Sequence, residues 1–245
     1  MAEALFFNFA RQAQPGSPEV AQLLYLWGPA PPAYGREWLV ARARSAGNNK
    51  ALWLRYMIEA GMEDEALSLA QPDDPAQQDM MISIWISKQQ WDKAAAQITT
   101  SLASPRSPEQ LRKLAEYALQ ANRADLAEQA YRKLHLATPG DAAITRLLIE
   151  TSYIQGNYTK TREYLSPYLA KHPEDYLMHY YQGELYTRDK SYAKATAHYR
   201  KAIELIVARK QKDIKMEGIY AVMRYRLGDT TEAFTAFDAL LKRYP

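Results

Sequence analysis

Counting Tyr176 as position 1, small side chains fall at 8, 20 and 27 (Gly183, Ala195, Ala202) and aromatic ones at 11, 17 and 24 (Tyr186, Tyr192, Tyr199). Thirty-four residues earlier the pattern returns: the unit from Ala142 has Tyr158 at 17, Leu165 at 24 and Pro173 at 32. One step further back, the unit from Pro108 has Ala115 at 8, Ala127 at 20, Tyr131 at 24 and Pro139 at 32. A fixed period of this length constrains the fold more than composition does, because each unit must be one supersecondary element that buries its apolar face against the next. Small residues at 8 and 20 let two antiparallel helices approach closely, bulky ones at 11, 17 and 24 fill the seams, and the proline stops the second helix.

This pattern resembles the tetratricopeptide repeat, a helix-turn-helix unit of 34 residues. The resemblance implies an all-α fold, a right-handed superhelical solenoid of antiparallel helix pairs. Read in the same register, Gly228, Thr230, Ala233, Phe237, Leu240 and Pro245 occupy 15, 17, 20, 24, 27 and 32 of a unit starting near Ile214, after an insertion around "ARKQ". Trp91, Ala94, Ile98 and Ser101 occupy 17, 20, 24 and 27 of a unit starting near Pro75. The expected organisation is therefore a regular array over 75–245, with units near 75, 108, 142, 176 and 214, preceded by irregular or degenerate repeats over 1–74. Within that first part, "KALWLRYMIEAGMEDEALSLAQPDDP" reads as a truncated unit with a turn at Gly61 and an end at Pro72, and "SPEVAQLLYLWGPAPPAYGREWLVARARSAGN" as another with its turn at Gly28 to Pro32. Residues 1–14 read as the second helix of an earlier unit, so a segment of a longer array is expected.

Little in the sequence points to catalysis. There is no cysteine, which removes disulfides, thiolate metal sites and cysteine nucleophiles together. None of the ten glycines forms a phosphate-cradling GxGxxG or GxxxxGK. His135, His172, His179 and His198 show no metal-ligand spacing, and "PDDP" at 72–75 reads as a turn with an N-cap aspartate rather than a metal loop. No catalytic, cofactor or metal site is expected. No apolar run approaches the roughly 20 residues of a membrane span, so no direct membrane insertion is expected, and the amino end lacks the basic flank of an export signal. Cytoplasm and periplasm fit the composition equally.

The family resemblance implies that positions 2, 5, 9, 12 and 13 of each first helix line a concave, partner-binding groove. Those positions give Arg112, Glu116 and Leu119 in the unit from Pro108, Arg146, Glu150 and Tyr153 in the unit from Ala142, Tyr180, Glu184 and Arg188 in the unit from Tyr176, and Tyr225 and Arg226 near the end. Arginine at 5 and glutamate at 9 recur in two neighbouring units, an i,i+4 spacing that either closes a surface ion pair or presents a ladder to a peptide. Chaperone-binding members of the family use lysine and asparagine to grip an acidic tail; Glu116 and Glu150 here would repel one. Tyr153, Tyr180, Tyr181 and Tyr225 lie off the consensus and are the tyrosines expected to make contact.

The expected function is a non-catalytic scaffold for a protein partner. The segment "QLLYLWGPAPPAYGREWLVARARSAG" resembles the degenerate repeats preceding the barrel of Gram-negative exopolysaccharide-export outer-membrane proteins, which would place the chain in the periplasm within a polysaccharide synthesis or export assembly. The alternative is direct binding of an anionic polymer, polysaccharide or nucleic acid, by the carboxyl-terminal part, where thirteen Lys and Arg face seven Asp and Glu from Arg188 onward. Nucleic acid is the weaker of the two, since the basic residues lack interleaved aromatics.

Overall fold

The computed structural model describes residue 10 and residues 13–244; most of the stretch 1–14 read above as a helix, and Pro245, lie outside the described residues. Among those described there are fourteen α-helices and no strand: α1 Pro18–Trp27, α2 Ala33–Ser45, α3 Lys50–Glu59, α4 Glu63–Leu69, α5 Pro75–Ser87, α6 Trp91–Ala103, α7 Pro108–Gln120, α8 Ala124–Ala137, α9 Ala142–Ile154, α10 Tyr158–Lys171, α11 Tyr176–Arg188, α12 Tyr192–Val207, α13 Ile214–Arg226 and α14 Thr230–Arg243. One 3-10 turn, Gly47–Asn49, precedes α3. The fold is an α-solenoid of helix pairs. Compactness divides the chain into Met1–Ala130 and Tyr131–Pro245, a division distinct from the change in sequence regularity near residue 75.

First helices begin at Pro75, Pro108, Ala142, Tyr176 and Ile214, and a chemical start signal explains why. The residue before each is an N-cap whose side chain accepts from the first turn: Asp74 from Ala76 N, Ser107 from Gln110 N, Asp141 from Ala143 N and Ile144 N, Asp175 from Leu177 N and Met178 N, and Asp213 from Met216 N. Each cap satisfies donors that have no partner inside the helix. The Asp74 cap settles the "PDDP" stretch as a helix start.

The turn between the two helices repeats as faithfully. Position 15 is left-handed in all five units, at Gln89, Asn122, Gly156, Lys190 and Gly228. The next N–H bonds the carbonyl five residues earlier: Gln90 to Trp85, Arg123 to Ala118, Asn157 to Ser152, Ser191 to Tyr186, Asp229 to Arg224, all between 2.7 and 2.9 Å. That is the Schellman closure of a helix end. Gly61 with Met62 N to Met57 O makes the same turn between α3 and α4. A Cβ on Gly61 would lie 2.4 Å from the Pro29 carbonyl oxygen, so glycine there serves backbone approach as well as φ.

Inside Met1–Ala130 the core runs along a chain of edge-to-face aromatics, Trp27, Trp38, Trp53 and Tyr56, with centroids 5.2 to 6.1 Å apart. A buried polar network ties α5 and α6 to the preceding turn: Gln78 and Gln97 both donate to the Pro72 carbonyl at 2.7 and 2.8 Å, and Gln78 Oε1 accepts from Ser101 at 2.9 Å and from Arg106. Inside Tyr131–Pro245 the core follows the repeat register, with Leu165, Ala195, Tyr199, Ala202 and Ile206 buried between paired helices. Gly183 on α11 faces the Tyr199 ring so closely that no larger residue fits.

Candidate functional site

The sequence-derived groove residues fall in both compact units. Arg112, Glu116 and Leu119 stand exposed on α7 in the first, and the arginine and glutamate form no ion pair with each other. The remaining eight lie on α9, α11 and α13 in the second. There the i,i+4 pair does close: Arg146 Nη1 lies 3.2 Å from Glu150, and its Nε donates to Asp175 at 2.9 Å. Burial opposes the Arg146 charge, yet Asp175 and Glu150 outweigh it and raise the guanidinium pKa.

Glu150 is shared. Besides Arg146 it accepts from Lys215 Nζ at 2.9 Å, so a side chain of α13 reaches one of α9 across the intervening repeat. Glu184, buried on α11, accepts from Tyr199 Oη at 2.7 Å and from Arg226 Nε and Nη2 at 3.0 and 3.1 Å, a bidentate grip. Tyrosines fill the space between these charges. Tyr153 packs on Tyr181 at 4.4 Å and 31°, and Tyr180 touches both Tyr181 and Tyr199. Burial, reinforced by the Glu184 carboxylate, pushes the Tyr180 hydroxyl up to about 12 and raises Tyr153 and Tyr199 further; these phenols stay neutral and serve as packing and hydrogen-bonding groups. Arg188 is exposed and lies over the Tyr158 ring at 3.9 Å. Tyr225 is exposed at 55%.

Two sequence expectations are corrected by this geometry. Tyr181, read as a contact residue, is 6% exposed, because the off-consensus tyrosines stack on each other along the first helices. Glu150, read as repelling an acidic ligand, has its charge taken up by Arg146 and Lys215. Two participants were not singled out, Lys215 and Asp175, and Tyr199 was read only as a seam residue. Lys215 occupies position 2 of the last unit, so the register itself pointed to it; Asp175 is the cap preceding position 1.

The neighbouring clefts offer less chemistry. One of about 350 Å³ at the helix starts is lined by Arg146, Glu174, Asp175, Tyr176, Arg209 and Asp213 among others. Between α11 and α12, His179 Nδ1 and His198 Nδ1 lie 3.0 Å apart, and His179 Nε2 lies 2.9 Å from the Pro173 carbonyl. Since a carbonyl only accepts, neutral His179 carries its proton on Nε2 and takes a hydrogen bond from His198. Among the described residues no three His, Asp or Glu side chains come together as metal ligands, and no helix is long and apolar enough to cross a membrane.

Residues 153–211, from the end of α9 through α12, match the family model described as tetratricopeptide repeat. Over those residues the chain carries the tetratricopeptide repeat. The match holds α10 and the whole α11–α12 pair, the part where Tyr158, Tyr186, Tyr192 and Tyr199 keep the consensus spacing. No curated protein matches the sequence. Similar solved structures include MamA, residues 41 to the end, from Desulfovibrio magneticus RS-1 (17% identity, 71% of this chain and 96% of that one, TM-score 0.47). PilF of Pseudomonas aeruginosa is 14% identical over 86% of this chain and 94% of its own, with a TM-score of 0.45. A tetratricopeptide repeat protein from Parabacteroides merdae ATCC 43184 is 16% identical over 86% of each chain, with a TM-score of 0.49. Tetratricopeptide repeats support a protein-interaction scaffold, and such folds are typically non-catalytic.

Proposed function

We propose that this chain is a non-catalytic scaffold that holds an extended segment of a protein partner along the first helices of the repeats between Ala142 and Arg243. The observation that carries the reading is convergence: Tyr153, Tyr180, Glu184 and Arg188, chosen by register alone, are joined by contacts through Tyr158, Tyr181 and Tyr199, and the Arg146–Glu150 pair, chosen the same way, lies near enough to act electrostatically on Tyr181. Repeats that only needed to pack would have no reason to gather charge on that face, since surface ion pairs contribute about 0 to 1 kcal/mol each. The setting we propose is a bacterial envelope assembly for polysaccharide synthesis or export, with the chain in the periplasm; the likeness of residues 22–47 to such export proteins supports it.

Affinity capture from the source organism, comparing the wild type with an Arg188→Glu, Tyr225→Ala variant, tests the reading. Both side chains are exposed and outside the ion-pair network, so the variant keeps its circular dichroism and melting curve. A protein retained by the first and lost by the second supports the scaffold and names the partner; equal retention would remove the groove from the proposal. The anionic-polymer reading keeps one observation in its favour: residues 207–215, with Arg209, Lys210, Lys212 and Lys215, are all exposed.

A further inference from the structure

From the way the groove's ion pairs are layered, we infer that the segment it holds is acidic, with carboxylate side chains spaced among small or apolar residues. The inference rests on the scaffold reading above and adds the chemistry of its partner.

In each ion pair on this face the base is the outer member and the acid the inner one. Lys215 is 51% exposed against 14% for Glu150, Arg226 43% against 10% for Glu184, and Arg146 34% against 13% for Asp175. By residue count the face is mixed, but by what an approaching molecule meets it is cationic. The inner carboxylates, Glu184 buried and Glu150 and Asp175 largely covered, are satisfied by their partners, so they neither repel nor attract strongly at the surface. They fix the bases in place, which lowers the entropy lost when a ligand binds them.

The bases also keep donors to spare. Arg226 spends Nε and Nη2 on Glu184, leaving Nη1 free; Arg146 spends Nε and Nη1, leaving Nη2; Lys215 spends one of its three protons on Glu150. Arg188 is engaged only with the Tyr158 ring. These free donors sit on three successive first helices, so carboxylates distributed along an extended chain match them, whereas a single terminal carboxylate reaches one. Glu174 and Asp213 are exposed as well, but they share the cleft at the helix starts with Arg146 and Arg209.

A peptide fits better than an acidic sugar. A pyranose stacks on an open aromatic face, and the tyrosines here are packed against each other, with Tyr158 covered by Arg188. Only Tyr225 among the groove tyrosines is exposed.

The test is fluorescence anisotropy on the whole chain with three probes: a fluorescein-labelled peptide of alternating glutamate and alanine, the same peptide with lysine for glutamate, and polygalacturonate as competitor. The glutamate peptide should bind, weaken as NaCl rises from roughly 50 to 500 mM, and lose about two- to fivefold in affinity with Arg188→Ala and with Lys215→Ala. Lys215→Ala uncovers Glu150, so Arg188→Ala, which disturbs no ion pair, is the decisive variant. Preference for the lysine peptide, displacement by polygalacturonate at lower carboxylate concentration than by unlabelled peptide, or binding of no probe would each overturn the inference. If the captured partner still depends on Arg188 and Tyr225 while the glutamate peptide does not bind, the scaffold stands and only its acidic partner falls.

Discussion

Gly183 and Gly218 are both interior helical glycines, and replacing each with alanine should move stability in opposite directions. On helix propensity alone, Gly→Ala gains about 1 kcal/mol at either site. At Gly218 in α13 an added Cβ meets nothing within 4 Å, so the gain should appear in full. At Gly183 the Cβ would lie 2.5 Å from Tyr199 Cε1, 2.7 Å from Cδ1 and 3.1 Å from Cζ. That ring cannot swing away, because its hydroxyl is held by Glu184 at 2.7 Å and Thr187 at 2.9 Å and the residue is 2% exposed. Overpacking of this kind costs about 1 to 3 kcal/mol and loosens the Glu184 bond besides, for about 1 more. The net expectation is a loss of about 1 to 3 kcal/mol for Gly183→Ala and a gain of about 1 for Gly218→Ala. Urea unfolding followed by far-ultraviolet circular dichroism reads both. Tryptophan fluorescence serves as the internal control, since Trp27, Trp38, Trp53, Trp85 and Trp91 all precede residue 131 and should unfold at an unchanged midpoint if the two units melt separately. Stabilisation by Gly183→Ala would refute the reasoning, and so would failure of Tyr199→Leu to relieve its cost in the double variant.

Other perturbations have equally definite outcomes. Lys190 is held at φ 59° without the freedom of glycine, so Lys190→Gly should raise the thermal midpoint, by about 1 kcal/mol in stability, while Gly156→Ala at the same repeat position should lower it by a similar amount. Gln78→Leu removes the acceptor of Ser101 and Arg106 and one donor to Pro72; unfolding read by tryptophan fluorescence should show a loss of about 1 to 3 kcal/mol. Burial, with the His179 charge adding to it, lowers the His198 pKa below its usual 6.5. The folded chain thus resists a proton that the unfolded chain accepts, so this contribution to stability is present above pH 6.5 and is lost as the pH falls through the lowered value. A melt by circular dichroism between pH 7.5 and 5.5 should decline, and His198→Gln should flatten the decline.

The sequence made helix starts and turns legible because both are local. An N-cap acts within three residues and a Schellman turn within six, so Asp74 and Gly61 carry their meaning in the chain around them. Only two of the five turn positions hold glycine, since the closing hydrogen bond stabilises the left-handed residue whatever its side chain. The Arg146–Glu150 pair was legible for the same reason, one helical turn apart. Glu184 with Arg226, 42 residues away, and Glu150 with Lys215, 65 residues away, depend on how far each repeat rotates against the last. Periodicity fixes which face a side chain occupies, not that rotation. Tyr180 and Tyr181 show the same limit: an off-consensus aromatic can be a contact residue or a packing residue, and the neighbouring helix decides.

A solenoid whose repeats touch only their neighbours behaves mechanically as beads on an elastic string, each joint yielding by itself. The Lys215–Glu150 link stitches one bead to the next but one. Pulling the end of the chain would then load three helix pairs before any single joint opened, and an increase in salt that weakens the stitch would soften the whole segment at once. The groove and the spring constant of its wall are governed by the same ammonium group.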